Sequence, residues 1–250
     1  MSGHSKWATI KRRKAAVDAK RSNVFAKLTR AIETAAREGG GDPASNMTLA
    51  STIEKAKQFS VPNDNIDRAI RRGTGEDSGG TRYVEVTYEG YAPGGVALLV
   101  ETLTDNRNRT GQDVRYAISR GGGNPGEPGA TAWMFSRKGL IEVEKASVPG
   151  EDELVEIVLE AGGEDLRDSE STWEITTSAA SCRAVRGALE QAGIPIASAE
   201  ITMVPQTVVH LDGAAARQCL ALVGSLEELD DVQAVYANFD ISEELMAEVG

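Results

Sequence analysis

RYVEVTYEGYAPGGVALLVETL, residues 82–103, is where the chain stops reading as helix and starts reading as sheet. It predicts two strands, Arg82–Tyr91 and Gly95–Leu103, followed by the polar segment Asp105-Asn106-Arg107-Asn108-Arg109-Thr110 and a helix from about Thr110 to Ser119. Thr110 with Asp113 is the expected capping pair of that helix. A strand near Thr131–Ser136 completes a β-β-α-β unit, one helix and one strand short of a closed two-layer fold. A second set follows: strand 140–145, helix 151–161, strand 171–177, helix 180–191 and strand 199–205. The tail adds a strand at 207–211, a helix at 213–226 and a strand at 232–239, the pieces that the first unit lacks.

The chain therefore predicts a discontinuous α/β domain, residues 80–138 plus 206–250, with an α/β domain of residues 139–205 inserted in it. Each is expected to be a helix layer on a mostly antiparallel sheet, like a split β-α-β plait.

Upstream, Ile10, Val17, Val24, Leu28, Ile32 and Ala35 form an apolar stripe on a helix, stopped by Gly39, Gly40 and Gly41. The turn Asp42–Asn46 supplies N-cap candidates for a second helix carrying Leu49, Ile53, Ala56 and Phe59. Pro62 closes it. Asn63 or Asp64 then caps a short third helix with Ile66, Ala69 and Ile70, and Gly73 sits where a left-handed residue ends a helix. Residues 1–75 read as a basic helical module, with a Gly/Ser/Thr-rich linker after it. The expected fold class is α+β multidomain: a three-helix module plus two plait-like domains.

Charge points to function. The first 30 residues hold nine Lys or Arg and one acid, in a chain of formal charge −11. Of 27 basic and 38 acidic residues, 15 and seven fall in residues 1–72, leaving residues 73–250 with a net charge of −19. An acidic body repels phosphate and confines a polyanion to the basic end, so oriented nucleic-acid binding is expected. Lys6, Lys11, Arg12, Arg13, Lys14, Lys20, Arg21, Lys27 and Arg30 offer phosphate contacts with little base discrimination. Trp7 reads either as a stacking platform or as an anchor in the helical core. Arg107 and Arg109 add a cationic loop, and the same Asp/Asn-rich segment also reads as a self-bonded turn.

Other classes find little support. His4 and His210 lie in different expected domains and outside any metal motif, so no metal site and no catalytic residue is assigned. The glycine runs lack the context of a phosphate-binding loop, and no cofactor is expected. Cys182 and Cys219 lack CxxC spacing and read as reduced, buried thiols. The longest aliphatic run, Val96–Val100, is too short for a bilayer, and the basic N-terminus lacks the apolar core of a secretory signal. A cytoplasmic, monomeric protein is expected.

The chain resembles the YebC-type proteins, probable transcriptional regulators that include the mitochondrial translational activator of cytochrome oxidase. The resemblance spans essentially the whole chain. It rests on Gly3-His4-Ser5-Lys6-Trp7, Arg13-Lys14-Ala15-Ala16, Asp18-Ala19-Lys20-Arg21, Gly40-Gly41-Asp42-Pro43, Pro62-Asn63-Asp64-Asn65-Ile66, Arg71-Arg72-Gly73-Thr74-Gly75, Tyr88-Glu89-Gly90-Tyr91, Pro93-Gly94-Gly95-Val96 and Thr104–Thr110. One departure is Asn46-Met47-Thr48-Leu49-Ala50, where many relatives carry a basic residue after the asparagine. The resemblance implies three domains, no established enzymatic chemistry, and association with promoter DNA or with the ribosome. The leading expectation is a non-enzymatic nucleic-acid-binding regulator, with Arg71, Arg72, Arg107 and Arg109 as secondary contacts. The alternatives are a ribosome-associated translation factor that binds ribosomal or transfer RNA and, more distantly, a protein-interaction adaptor.

Overall fold

The structure is a computed structural model. It describes residues 21–77, 81–148, 150–169 and 171–241, with Arg21 and Ser22 described by backbone alone. Three helices come first, α1 (Arg21–Gly39), α2 (Met47–Gln58) and α3 (Asn63–Thr74). Leu28, Ile32 and Ala35 of the expected stripe are buried with Leu49, Ala56, Ile66 and Ala69, and Val24 packs at the margin. Ile10 and Val17 lie outside the described residues.

One side chain joins the first two helices. The Asn46 carboxamide oxygen accepts the Leu49 N–H (3.1 Å) and caps α2, while its nitrogen donates to the Ala35 and Gly40 carbonyls at 2.7 and 2.8 Å, ending α1.

Two details of α3 differ from expectation. Pro62, not Asn63 or Asp64, holds the N-cap position, and it provides no side-chain cap. Its preset φ of −57° orients its carbonyl to accept the N–H groups of Asn65 and Ile66. The left-handed residue is Gly75 (φ 82°) rather than Gly73, which lies inside the helix. A Cβ on Gly73 would stand 2.4 Å from the Glu33 carbonyl oxygen and 2.7 Å from the Ala36 Cβ. Glycine is there because α3 crosses α1 backbone to side chain. Gly73→Ala is expected to lose about 1–3 kcal/mol through overpacking, despite alanine's better helix propensity, read as a lower urea midpoint with unchanged m.

The remaining elements run β1 (Val84–Ala92), β2 (Val96–Thr104), α4 (Arg107–Arg120), β3 (Asn124–Pro125), β4 (Phe135–Glu144), α5 (Glu151–Glu160), β5 (Gly163–Ser169) and β6 (Thr172–Ser178). They continue with α6 (Cys182–Gln191), β7 (Ile196–Pro205), β8 (Val209–Leu211), α7 (Gly213–Glu227), β9 (Val232–Ala237) and β10 (Phe239–Ile241). The architecture is α+β, with a helical N-terminal module and two antiparallel four-stranded sheets. By contacts the chain divides into two compact units. Phe135–Gln206 is one, and the described residues on either side of it form the other.

In the divided unit the sheet order is β3-β1-β2-β9. The β1–β2 hairpin runs in register from Val84↔Thr104 to Ala92↔Val96, turning at Gly94 and Gly95, both at positive φ. The tail supplies β9, which pairs with β2, and α7. Val96, Leu98 and Val100 share a core with Val114 and Ile118 of α4 and Leu222, Val223 and Leu226 of α7. The expected last strand, 232–239, is broken at Asn238. Its carboxamide oxygen takes the Ala97 N–H at 2.6 Å, and β10 turns away to pair in parallel with β8.

The unit Phe135–Gln206 has sheet order β5-β6-β4-β7 with α5 and α6, the arrangement of a split β-α-β plait. Ile141, Val143, Leu154, Val158, Ile175, Val185 and Leu189 form its core. The strands expected at 131–136 and 140–145 are largely one, β4, which passes through Gly139 unbroken. A Cβ there would meet the Thr177 hydroxyl at 2.3 Å, so Gly139 serves close strand and helix approach rather than a turn. Strand β5 has no counterpart in the sequence reading because its residues, GEDLRDS, are polar except for Leu166 and lie at a sheet edge.

A buried carboxylate pins the loop after β3. Glu89 accepts the N–H groups of Gly129 (2.7 Å), Thr131 (2.6 Å) and Ala132 (2.7 Å). Burial pushes its pKa up, but these donors outweigh burial and the net shift is downward. A depressed folded pKa gives stability that is present above the unfolded value and lost as pH falls through the folded one. Glu89→Gln is expected to cost about 1–3 kcal/mol at neutral pH and to reduce the loss of stability below about pH 4, checked by urea titration at several pH values.

Candidate nucleic-acid interface

Of the sequence-predicted contacts, Lys6, Trp7, Lys11, Arg12, Arg13, Lys14 and Lys20 lie outside the described residues. Arg21 opens α1. That helix carries the basic character onward, and Asn23, Lys27 and Arg30 share a face by their spacing. This face meets the end of α7. Asn23 donates to the Glu228 carbonyl (3.2 Å), Lys27 Nζ to the Glu227 carbonyl (2.6 Å), and Arg30 to the Asp230 carbonyl (2.8 Å). The last carbonyls of a helix lack intrahelical partners and sit at the negative end of its dipole, which favours cations there. Burial lowers the Lys27 pKa, and the nearby Glu227 charge acts against it.

Asp231, just past that helix, collects the rest. Its carboxylate accepts from Arg109 (2.6 Å), Thr110 (2.6 Å) and Thr104 (3.3 Å), and pairs with Arg30 at 3.3 Å. Burial drives its pKa up, yet the Arg109 and Thr110 hydrogen bonds and the Arg109 and Arg30 charges bring the net shift below the usual carboxylate value. Arg30 also lies 5.8 Å from the Tyr83 ring centroid. Arg30, Tyr83, Arg109, Asp113, Asp230 and Asp231 line a cleft of about 530 Å³.

The cap of α4 also differs from expectation. Asn106 accepts the Arg109 N–H at 3.1 Å and is the N-cap. Thr110 instead turns its hydroxyl into the Asp231 network, where Thr104 Oγ1 lies 2.7 Å away. Thr104 brings the end of β2 to the same carboxylate.

Lys27, Arg30 and Arg109 are thus brought together, as ties between the helical module and the α/β domain. Arg71 and Arg72 have separate partners, Asp77 at 3.2 Å and the buried Glu33 at 3.2 Å, which also holds Arg37. Arg107 is exposed in the first turn of α4, and its carbonyl accepts the Tyr88 hydroxyl at 3.1 Å.

Two family models match the chain. The TACO1/YebC protein N-terminal domain covers residues 5–76, and the TACO1/YebC second and third domain covers residues 83–239. The chain belongs to the TACO1/YebC family. A "probable transcriptional regulatory protein" of Rubrobacter xylanophilus is 57% identical over 249 residues, covering 100% of this chain and 99% of that relative. Another of that name, from Pelotomaculum thermopropionicum, is 55% identical over 97% of this chain and 100% of its own length. The crystal structure of a conserved hypothetical protein from Aquifex aeolicus superposes with a TM-score of 0.82 at 46% identity, covering 97% of this chain and 99% of that one.

In this YebC-family chain, sequence reasoning found the cations of the interface but missed Asn23, Tyr83 and Asp231. Nothing local marks Asp231 as the partner of Arg109, 122 residues away. Among the described residues no group of three or more His, Cys, Asp and Glu is placed to hold a metal, and no helix is long and apolar enough to cross a membrane. His210 is exposed on β8. Cys182 and Cys219 are buried, and burial pushes the Cys219 thiol up to about 12, which suppresses the reactive thiolate.

Proposed function

We propose that this YebC-family protein is a non-enzymatic, nucleic-acid-binding regulator of gene expression that docks through its basic N-terminal segment. The observation that carries the reading is the opposed charge of the two parts: nine cations and one acid in residues 1–30, against a net −19 in residues 73–250. The relatives' names, probable transcriptional regulatory proteins, support a regulatory role.

Lys6, Lys11, Arg12, Arg13, Lys14, Lys20 and Arg21 are assigned the phosphate contacts, and Trp7 an adjacent base. Lys27, Arg30, Arg71, Arg72 and Arg109 have intramolecular partners, so their role toward phosphate is secondary; Arg107 is the exposed secondary contact. The working division is a helical domain of residues 1–75, a discontinuous domain of 80–138 plus 206–250, and an inserted domain of 139–205. In this division the helical domain presents cations and the acidic remainder orients them.

The test is cosedimentation with ribosomes, alongside equilibrium binding to duplex DNA across a salt series, for the intact chain and a form lacking residues 1–20. Truncation at residue 30 would also remove Leu28 from the helical core, so it stops earlier. Segment-dependent ribosome association that survives physiological salt, with collapse of DNA affinity, identifies a translation factor. Salt-resistant, sequence-selective DNA binding identifies a transcription factor. Partner binding that is indifferent to the truncation, with neither nucleic acid bound, identifies an adaptor and overturns the reading.

A further inference from the structure

Only 12 of the 27 basic residues lie beyond residue 72, and four of them, Arg107, Arg109, Arg115 and Arg120, fall within the 14 residues of α4. The helix contains one acid, Asp113. Its inner face is the core, with Thr110, Gly111, Val114 and Ile118 buried. The face left to solvent combines amides, cations and an aromatic: Asn108, Gln112, Arg115, Tyr116 and Arg120 are all exposed. Tyr116 is 65% exposed, unusual for so large a ring. No described core requires it there.

The cations are arranged on both sides of that ring. At 100° per residue Tyr116 lies between Arg115 and Arg120 on the helix surface. The Arg115 guanidinium folds back over Gly111, where a Cβ would meet its Nη2 at 3.0 Å and the Tyr88 ring at 3.3 Å. Arg107 lies on the Tyr88 side of the helix, half a turn around from Tyr116, where the Tyr88 hydroxyl binds its carbonyl and both arginine charges act on the phenol. Arg109 is withdrawn from this set by Asp105 and Asp231.

Resting on the nucleic-acid reading above, we propose that the outer face of α4 is a second contact, for a single-stranded segment: Tyr116 stacks on an unpaired base while Arg115 and Arg120 hold the flanking phosphates. An exposed ring between cations is how single strands are held without sequence readout. The surrounding acidic surface opposes any broad polyanion, so a narrow strand fits where a duplex does not. A helix of this length spans about 20 Å, enough for a few nucleotides.

The test uses the full chain and two labelled RNAs, a hairpin with an unpaired loop and the same stem as a continuous duplex. Tyr116→Ala is expected to weaken loop RNA about five- to 100-fold and to leave duplex affinity unchanged, with Tyr116→Phe retaining most binding. Arg115→Gln with Arg120→Gln is expected to lower the salt slope for loop RNA by about 1.4. These side chains are exposed, so melting temperatures stay at the intact value. Loop affinity unchanged in both variants, while neutralising Lys11–Lys14 abolishes binding, overturns this inference and leaves the functional reading standing. Failure of the intact chain to bind either RNA or duplex DNA overturns both. Loss of binding to a polyglutamate peptide but not to the hairpin assigns the face to an acidic protein and overturns the inference.

Discussion

Replacing Lys11, Arg12, Arg13 and Lys14 together with glutamine is expected to lower nucleic-acid affinity about 10²–10³-fold near physiological salt. Each phosphate neutralised by a cation releases condensed counterions, so four lost contacts reduce the slope of log K against log salt by about 3.6 on duplex DNA or about 2.8 on single strands. The change in slope separates this mechanism from unfolding, which would remove binding at every salt concentration. The four residues lie outside the described residues, and a thermal melt of the variant checks independently that the fold is retained. Neutralising exposed cations elsewhere, such as Arg82, Arg137 and Arg183, is the control. It leaves the slope unchanged.

The second large effect is on the fold. Asp231→Ala is expected to destabilise the chain by about 2–4 kcal/mol, because it strips partners from the buried Thr104 and Thr110 hydroxyls and from Arg109 and Arg30 in one step. The cost stays below that of breaking a fully buried pair because the Arg109 side chain is 48% exposed and can turn to water. Arg30→Gln alone is expected to cost about 0.5–1 kcal/mol, and the double variant less than the sum, since both act on one network. The Asp231 pKa is lowered on folding, so its contribution is complete above the unfolded carboxylate value and disappears as pH falls through the folded one. Stability of the intact chain should therefore decline more steeply than that of Asp231→Ala between about pH 5 and pH 2, measured by urea titration.

These two results concern different ends of one basic stretch. The structure separates them: Asn23, Lys27 and Arg30 grip the end of α7 and Asp231, so the first 21 residues carry the part of the positive charge proposed for phosphate.

That separation was not legible in the sequence, which shows charge and period but not partners. The stripe Leu28, Ile32 and Ala35 announces the face α1 buries, because each turn of a helix repeats the burial. Val96, Leu98 and Val100 likewise read as strand, and the tail's helix and strand were legible as the missing pieces of that sheet. Strand β5 gave no such signal, since an edge strand with one apolar residue has no face to advertise. Gly73 and Gly139 read as punctuation but serve close approach, which depends on a helix or strand distant in sequence. Lys27, Arg30 and Arg109 were legible as cations. Their engagement with Asp231 and the carbonyls at the end of α7 arises only when a segment 122 to 200 residues downstream folds back.

The most direct test is ultraviolet crosslinking of the intact chain to bound nucleic acid, followed by mass spectrometry of the crosslinked peptides. Crosslinks are expected to concentrate in peptides covering residues 6–21 and to diminish as salt rises. Crosslinks confined to residues 135–206, the acidic compact unit, would contradict it.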